Sequence, residues 1–325
     1  MRRYSAQVSL FGIILFVYVC ALGQTPSSAI SHYRDGIKKV GTGDLDGALE
    51  DYSRAITISS RFRNNKARNE ENGSDAIIVI DPFTAYAYTN RGVVRYRKGD
   101  FDGAKRDFDS ALQIRPGLAE AYLNRASALR ELGDLEASMA DLNKAIRLKP
   151  ELYEAFNNRG ALRHDLGDLQ GALDDFDQAI KINSKSAESY YLRGYTRIAL
   201  KNYQSALRDF DSAIKLKPDL AEAYQGRGTA LMYQGRFDEA ITDFTRALER
   251  NPEIAWAYFN RSLSWVIKGD ETQAQADFDR CVALRPELKK SLLERAELAR
   301  KIRSTRAHIK INVSSQAPGR LDRNH

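Results

Sequence analysis

The sequence predicts an all-α solenoid of stacked helix pairs, and three observations carry that prediction. The first is a 34-residue period: copies of one unit begin at Ala85, Ala119, Tyr153, Ala187, Ala221 and Ala255, with an imperfect copy at Ala29. A fixed period of that length marks a stacked helical array. The second is chemistry that repeats within the unit. Counting the first residue of each copy as position 1, position 4 is aromatic (Tyr88, Tyr122, Phe156, Tyr190, Tyr224, Tyr258). Position 8 is small (Gly36, Gly92, Ala126, Gly160, Gly194, Gly228, Ser262), as a close helix approach requires. The third is punctuation. Gly43-Asp44, Gly99-Asp100, Gly133-Asp134, Gly167-Asp168 and Gly269-Asp270 read as a turn glycine and an N-capping carboxylate, with Lys201-Asn202 and Gly235-Arg236 as weaker versions. Pro116, Pro150, Pro218, Pro252 and Pro286 stop each second helix, and Ser184 replaces one of them.

The elements follow in order. Residues 1–23 read as a secretory leader, with Arg2-Arg3, an apolar run from Val8 to Leu22, and small residues before Gln24. An uncleaved membrane anchor is the alternative, although the run is shorter than the roughly 20 residues that span a bilayer. Residues 29–84 hold the first repeat with an insertion at about 61–75. Its charged, Asn-rich composition predicts a mobile surface loop. Repeats follow at 85–118, 119–152, 153–186, 187–220, 221–254 and 255–288. A capping helix is expected at 289–305, with Leu292, Leu293, Ala296, Leu298 and Ala299 among charges, and a disordered basic tail at 306–325.

The repeated residues closely resemble the tetratricopeptide repeat family over about four-fifths of the chain. That resemblance implies a right-handed superhelix of antiparallel helix pairs with a C-terminal capping helix. One hairpin cannot bury its apolar face alone, so stability comes from neighbour-on-neighbour stacking.

Charge is unevenly placed. The formal net charge is +7, of which Arg2 and Arg3 give +2 and Lys289–His325, with ten basic and three acidic residues, gives +7. The remainder is about −2, which argues against a nucleic-acid groove along the repeats. Membrane contact is confined to the N-terminal segment or the basic tail. Removal of the leader takes Cys20 with it and leaves Cys281 as the one cysteine, so the mature chain forms no internal disulfide.

Arginine at position 7 recurs with aspartate at position 23. The arginines are Arg91, Arg125, Arg159, Arg193, Arg227 and Arg261; the aspartates are Asp107, Asp141, Asp175, Asp209, Asp243 and Asp277, with Asp51 in the first repeat. In the family position 7 faces the hairpin interior, so the guanidinium needs a carboxylate, and an internal structural ion-pair ladder is expected.

The family's binding surface is its concave face, lined by first-helix positions 2, 5, 6, 9, 12 and 13. Position 6 reads Asn90, Asn124, Asn158 and Asn260, interrupted by Leu192 and Gly226. This resembles the asparagine ladder in the repeat domain of O-linked N-acetylglucosamine transferases. Amides suit an extended peptide because they donate and accept at once. Towards the C-terminal half the face turns aromatic, with Tyr191, Tyr195, Tyr233 and Phe259 beside Met232 and Trp256, which suits apolar side chains or an amphipathic helix. The family's lysine- and asparagine-based clamp for chaperone tails is missing, since Tyr33 and Ile37 stand where its first Lys and Asn belong.

Catalysis, metal binding and cofactors are not expected. His32, His164, His308 and His325 are scattered without ligand spacing, and no phosphate loop occurs. The expected function is therefore an exported, non-enzymatic scaffold that binds an extended peptide or helix of a protein partner; the alternative is a membrane-anchored envelope assembly factor.

Overall fold

A computed structural model describes residues 26–70 and 82–304; the segments expected to be a leader and a basic tail lie outside them. Among the described residues the regular structure is helical. The helices are α1 (Ser27–Thr42), α2 (Leu45–Glu70), α3 (Pro82–Arg97), α4 (Phe101–Ile114), α5 (Ala119–Glu131), α6 (Leu135–Leu148), α7 (Tyr153–Asp165) and α8 (Leu169–Ile182). They continue as α9 (Ala187–Ala199), α10 (Tyr203–Leu216), α11 (Ala221–Tyr233), α12 (Phe237–Arg250), α13 (Ala255–Lys268), α14 (Glu271–Leu284) and α15 (Lys289–Ser304), the last preceded by a 3-10 turn at Pro286–Leu288. No described helix is long and apolar enough to cross a membrane.

The chain divides into two compact units, one ending at Arg159 and one starting at Gly160. In the first, α1 packs on α2, α3 on α4 and α5 on α6, and the pairs pack in series. In the second, α9 with α10, α11 with α12, and α13 with α14 do the same.

The punctuation works at the atomic level. Gly43, Gly99, Gly133, Gly167, Gly235 and Gly269 have φ between 76° and 93°, the left-handed region that ends the first helix of each pair. Asp100, Asp134, Asp168 and Asp270 then accept the N–H three residues on at 2.9–3.1 Å, each capping a second helix. Lys201 takes the glycine's place with φ 60°, and Arg236 makes no side-chain cap bond. The missing proline at Ser184 changes nothing: α8 still ends at Ile182, where Asn183 N–H closes onto Ala179 O at 2.8 Å.

The core between paired helices is built on one spacing. Alanines at position 27 (Ala55, Ala111, Ala145, Ala179, Ala213, Ala247) have no exposed surface. Cys281 occupies the same position, fully buried, and burial pushes its thiol up to about 11, so it packs as a small apolar group. The ring at position 24 lies over the glycine at position 8. A Cβ added to Gly92, Gly160, Gly194 or Gly228 would sit 2.7–2.9 Å from Phe108, Phe176, Phe210 or Phe244 respectively.

One expectation needs correction. Residues 61–70 do not form a loop: α2 runs on to Glu70, because Arg61–Glu70 contains neither glycine nor proline and its side chains are good or tolerable helix formers. Residues 71–75 lie outside the described residues. On α15 the apolar set is split. Leu292, Ala296 and Ala299 are buried, while Leu293 and Leu298 are about half exposed. Arg303 anchors the helix end on Val266 O at 2.6 Å and, with Arg300, on Glu271 at 3.0 and 2.7 Å.

Candidate functional site

The repeated arginine organises the interior of the helix pairs. Arg91 bonds Asp107 through Nε at 2.9 Å and Nη2 at 2.7 Å. The same bidentate contact joins Arg125 to Asp141, Arg193 to Asp209, Arg227 to Asp243 and Arg261 to Asp277 at 2.7–3.1 Å. The carboxylates are buried: Asp209 is 2% exposed. Each guanidinium also lies over the position-4 ring three residues earlier, with Arg91 over Tyr88 at 5.3 Å and Arg261 over Tyr258 at 5.7 Å. Arg159 sits over Phe156 at 5.6 Å and donates to Asn143 at 2.7 Å; Asp175 receives Arg163 at 2.9 Å.

The sequence reading missed a third partner. Each position-7 arginine sends Nη1 back to position 25 of the preceding repeat: Arg91 to Ser53, Arg125 to Asp109, Arg159 to Asn143, Arg193 to Asp177, Arg227 to Asp211 and Arg261 to Thr245, at 2.5–3.0 Å. One side chain thereby ties two helices of its own hairpin and one of the neighbour's. The signal was available, since position 25 is always Ser, Thr, Asn or Asp, all able to accept. The hydrogen bonds to Asp141 and Asp109 hold Arg125 above the usual guanidinium range. The first repeat, with Asp35 at position 7, uses other cations: Asp51 meets Lys39 at 2.7 Å and His32 at 3.1 Å, and these contacts hold its carboxyl below the usual range although burial acts the other way.

The position-6 asparagines share one face of the first helices. Within the first unit, Asn90 Nδ2 donates to Tyr33 Oη at 2.8 Å and Asn158 Nδ2 to Ser127 Oγ at 3.3 Å. Both side chains are half-buried, and Asn90 also meets the Tyr52 hydroxyl. Asn124, 7% exposed, makes no side-chain hydrogen bond to a described residue. In the second unit Asn260 Nδ2 donates to Thr229 Oγ1 at 3.2 Å. The interruptions have packing causes. Leu192 is buried, and a Cβ at Gly226 would fall 2.5 Å from Phe210 Cζ and 3.0 Å from Tyr195 Cε2.

Among the aromatic candidates, Phe259 and Tyr191 are corrected from groove surface to core, since they are 0% and 4% exposed. Tyr191 meets Tyr195 edge-on at 4.9 Å, and Tyr195 meets Phe210 at 5.4 Å. The Tyr195 hydroxyl donates to Gln225, and burial drives its pKa upward. Phe259 lies between Trp256, 5.0 Å away, and the guanidinium of Arg295 at 5.5 Å. Position 5 is closed off by packing in every repeat, which the sequence pattern alone does not show. Tyr233, stacked on Tyr203 at 5.2 Å, stays half-buried, as do Met232 and Trp256.

Two polar groups on α7 stand apart. Asn157 is 1% exposed and neither Nδ2 nor Oδ1 has a partner; His164 Nδ1 also lacks one, with Asp165 Oδ1 3.7 Å away.

Family models described as tetratricopeptide repeat match residues 85–118, 153–186, 187–220 and 221–254, and one described as TPR repeat matches 126–167, so together they span 85–118 and 126–254. The chain belongs to the tetratricopeptide repeat family. Tetratricopeptide repeats form protein-binding scaffolds, in which stacked repeats present an extended surface to another chain. No curated protein matches this tetratricopeptide repeat chain. It is similar to a tetratricopeptide repeat protein from Parabacteroides merdae (24% identity, TM-score 0.60, covering 84% of this chain and 100% of that one). It is also similar to the APC/C hetero-tetramer Cut9–Hcn1 (14%, 0.61, 77% and 55%) and to PilW, a type IV pilus biogenesis factor (19%, 0.58, 64% and 98%). At these identities the likeness is one of fold.

Proposed function

We propose that this tetratricopeptide repeat protein is an exported, non-enzymatic scaffold whose first-helix face holds an extended segment of a partner protein. The observation that carries the reading is the row Asn90, Asn124 and Asn158. Asn158 spends one N–H on a neighbouring repeat and leaves Oδ1 and the second N–H for another chain, whereas Asn90 is shared between Tyr33 and Tyr52 of the first repeat. A main-chain amide of a bound segment offers the complementary donor and acceptor. In the second unit, half-buried Met232, Tyr233 and Trp256 supply apolar surface for partner side chains.

A random twelve-residue peptide library displayed on phage and selected on the full chain tests the reading. Selected peptides are expected to bind wild type and to lose about 1–3 kcal/mol of affinity against the double variant Asn124→Ala/Asn158→Ala, measured by calorimetry with the unfolding midpoint as a control. Failure to select any peptide, or unchanged affinity for the folded double variant, removes the groove.

Export rests on the N-terminal segment. Sequencing of the mature chain from its native source is expected to begin at Gln24; an intact Met1 would favour the anchored envelope assembly factor instead.

A further inference from the structure

The position-2 side chains of four consecutive repeats, Glu120, Glu154, Glu188 and Glu222, are all glutamates on the face assigned to the partner. In the first unit they are not equivalent. Lys149 bonds Glu120 at 2.8 Å. Glu154, one helix later, has no ion pair with a described lysine or arginine. It is half-buried, and burial first, then the Glu120 charge, raises its pKa against the opposing contributions of Lys149, Tyr153 and its own backbone.

One helical turn on, Asn157 carries the orphaned amide. Position 5 elsewhere is apolar or internally satisfied: Leu123 is apolar, and Gln225 donates to Thr229 Oγ1 at 3.1 Å while accepting from Tyr195. A buried amide with both ends unmet bears its desolvation cost without compensation, so a leucine of similar size at 157 would stabilise the empty protein. Positions three apart on a helix are neighbours, about 5–6 Å between Cβ atoms, so the carboxyl of Glu154 and the carbonyl of Asn157 can be met by one cation.

We propose that Glu154 and Asn157 form a receptor for an arginine side chain of the bound partner segment. The guanidinium has five N–H donors in a planar fork, enough to take the Glu154 carboxylate through two of them and Asn157 Oδ1 through a third. Asn157 is sealed in the empty protein, so the entering side chain meets half-buried Glu154 first, and Asn157 turns towards it. Binding replaces a desolvated carboxyl and an unsatisfied amide by a charge-assisted network, which is where selectivity for arginine over uncharged side chains arises.

This inference rests on the peptide-binding reading above and is tested with the same selected peptides. They are expected to carry arginine at one fixed position. Its replacement by citrulline, which keeps the shape and loses the charge, is expected to weaken binding to wild type about tenfold or more, and to Glu154→Gln less than about twofold. Asn157→Leu is expected to raise the unfolding midpoint and to reduce the arginine preference in the same assay. Peptides that bind without arginine, equal binding of the citrulline form, or a full preference retained by Glu154→Gln would overturn the receptor while leaving the groove intact. A library that yields no peptide fails the groove itself.

Discussion

Asp209→Asn is expected to destabilise the second unit by about 3–5 kcal/mol, while Asp177→Asn, which touches the same guanidinium, costs less than about 1 kcal/mol. The contrast comes from burial. Asp209 is 2% exposed and receives Arg193 through Nε at 3.1 Å and Nη2 at 2.7 Å, and Arg197 through Nη1 at 2.6 Å. Removing its charge leaves part-buried Arg197 without a carboxylate and Arg193 with only the exposed Asp177, and the new amide N–H atoms point at donors. Asp177 reaches Arg193 at 2.5 Å, but its side chain is 53% exposed, so water replaces it at little cost.

Urea unfolding followed by circular dichroism, with identical buffers for the three chains, measures both effects. Midpoint shifts of similar size for the two variants would show that the buried pair is no more important than the exposed one. The ladder would then be a crystal-clear sequence pattern without matching energetics. A large shift confined to Asp209→Asn supports the view that each arginine is a structural pin whose strength resides in the hairpin interior.

The fold was legible because its determinants are local and repeated. A glycine at φ 76–93°, a capping carboxylate three residues before its amide, and an alanine where helices cross each need one residue type at one place. The period then exposes them. What was illegible depended on neighbours in space. Asn90 and Asn158 read as groove amides, but each also ties two repeats together, and Phe259 reads as a groove ring although it has no exposed surface. A side chain at position 5 is open or closed according to what packs on it from elsewhere, which single-repeat spacing does not encode. The insertion failed for a different reason: composition suggested a loop, whereas helix α2, already nucleated, needs only the absence of breakers to continue through Arg61–Glu70.

Gly194→Ala carries the other large expected effect, a loss of about 1–3 kcal/mol from a single added methyl group. The backbone there is ordinary helix, so the substitution should help by propensity alone, by roughly 1 kcal/mol at most. The obstacle is the ring of Phe210: the new Cβ would lie 2.9 Å from both Cε1 and Cζ and 3.2 Å from Cδ1. Phe210 is fully buried and cannot swing away without opening the α9–α10 crossing. The chain itself contains the compensated arrangement, because the repeat with Ala126 at position 8 has Leu142, not a ring, at position 24, and both are buried. Gly194→Ala/Phe210→Leu should therefore recover part of the loss that Gly194→Ala causes, even though Phe210→Leu alone thins the core and is destabilising. A double-mutant cycle from urea midpoints measures this directly. A favourable coupling energy of about 1 kcal/mol or more is expected; simple additivity would mean that the spacing between helices is set elsewhere and that glycine at position 8 is incidental.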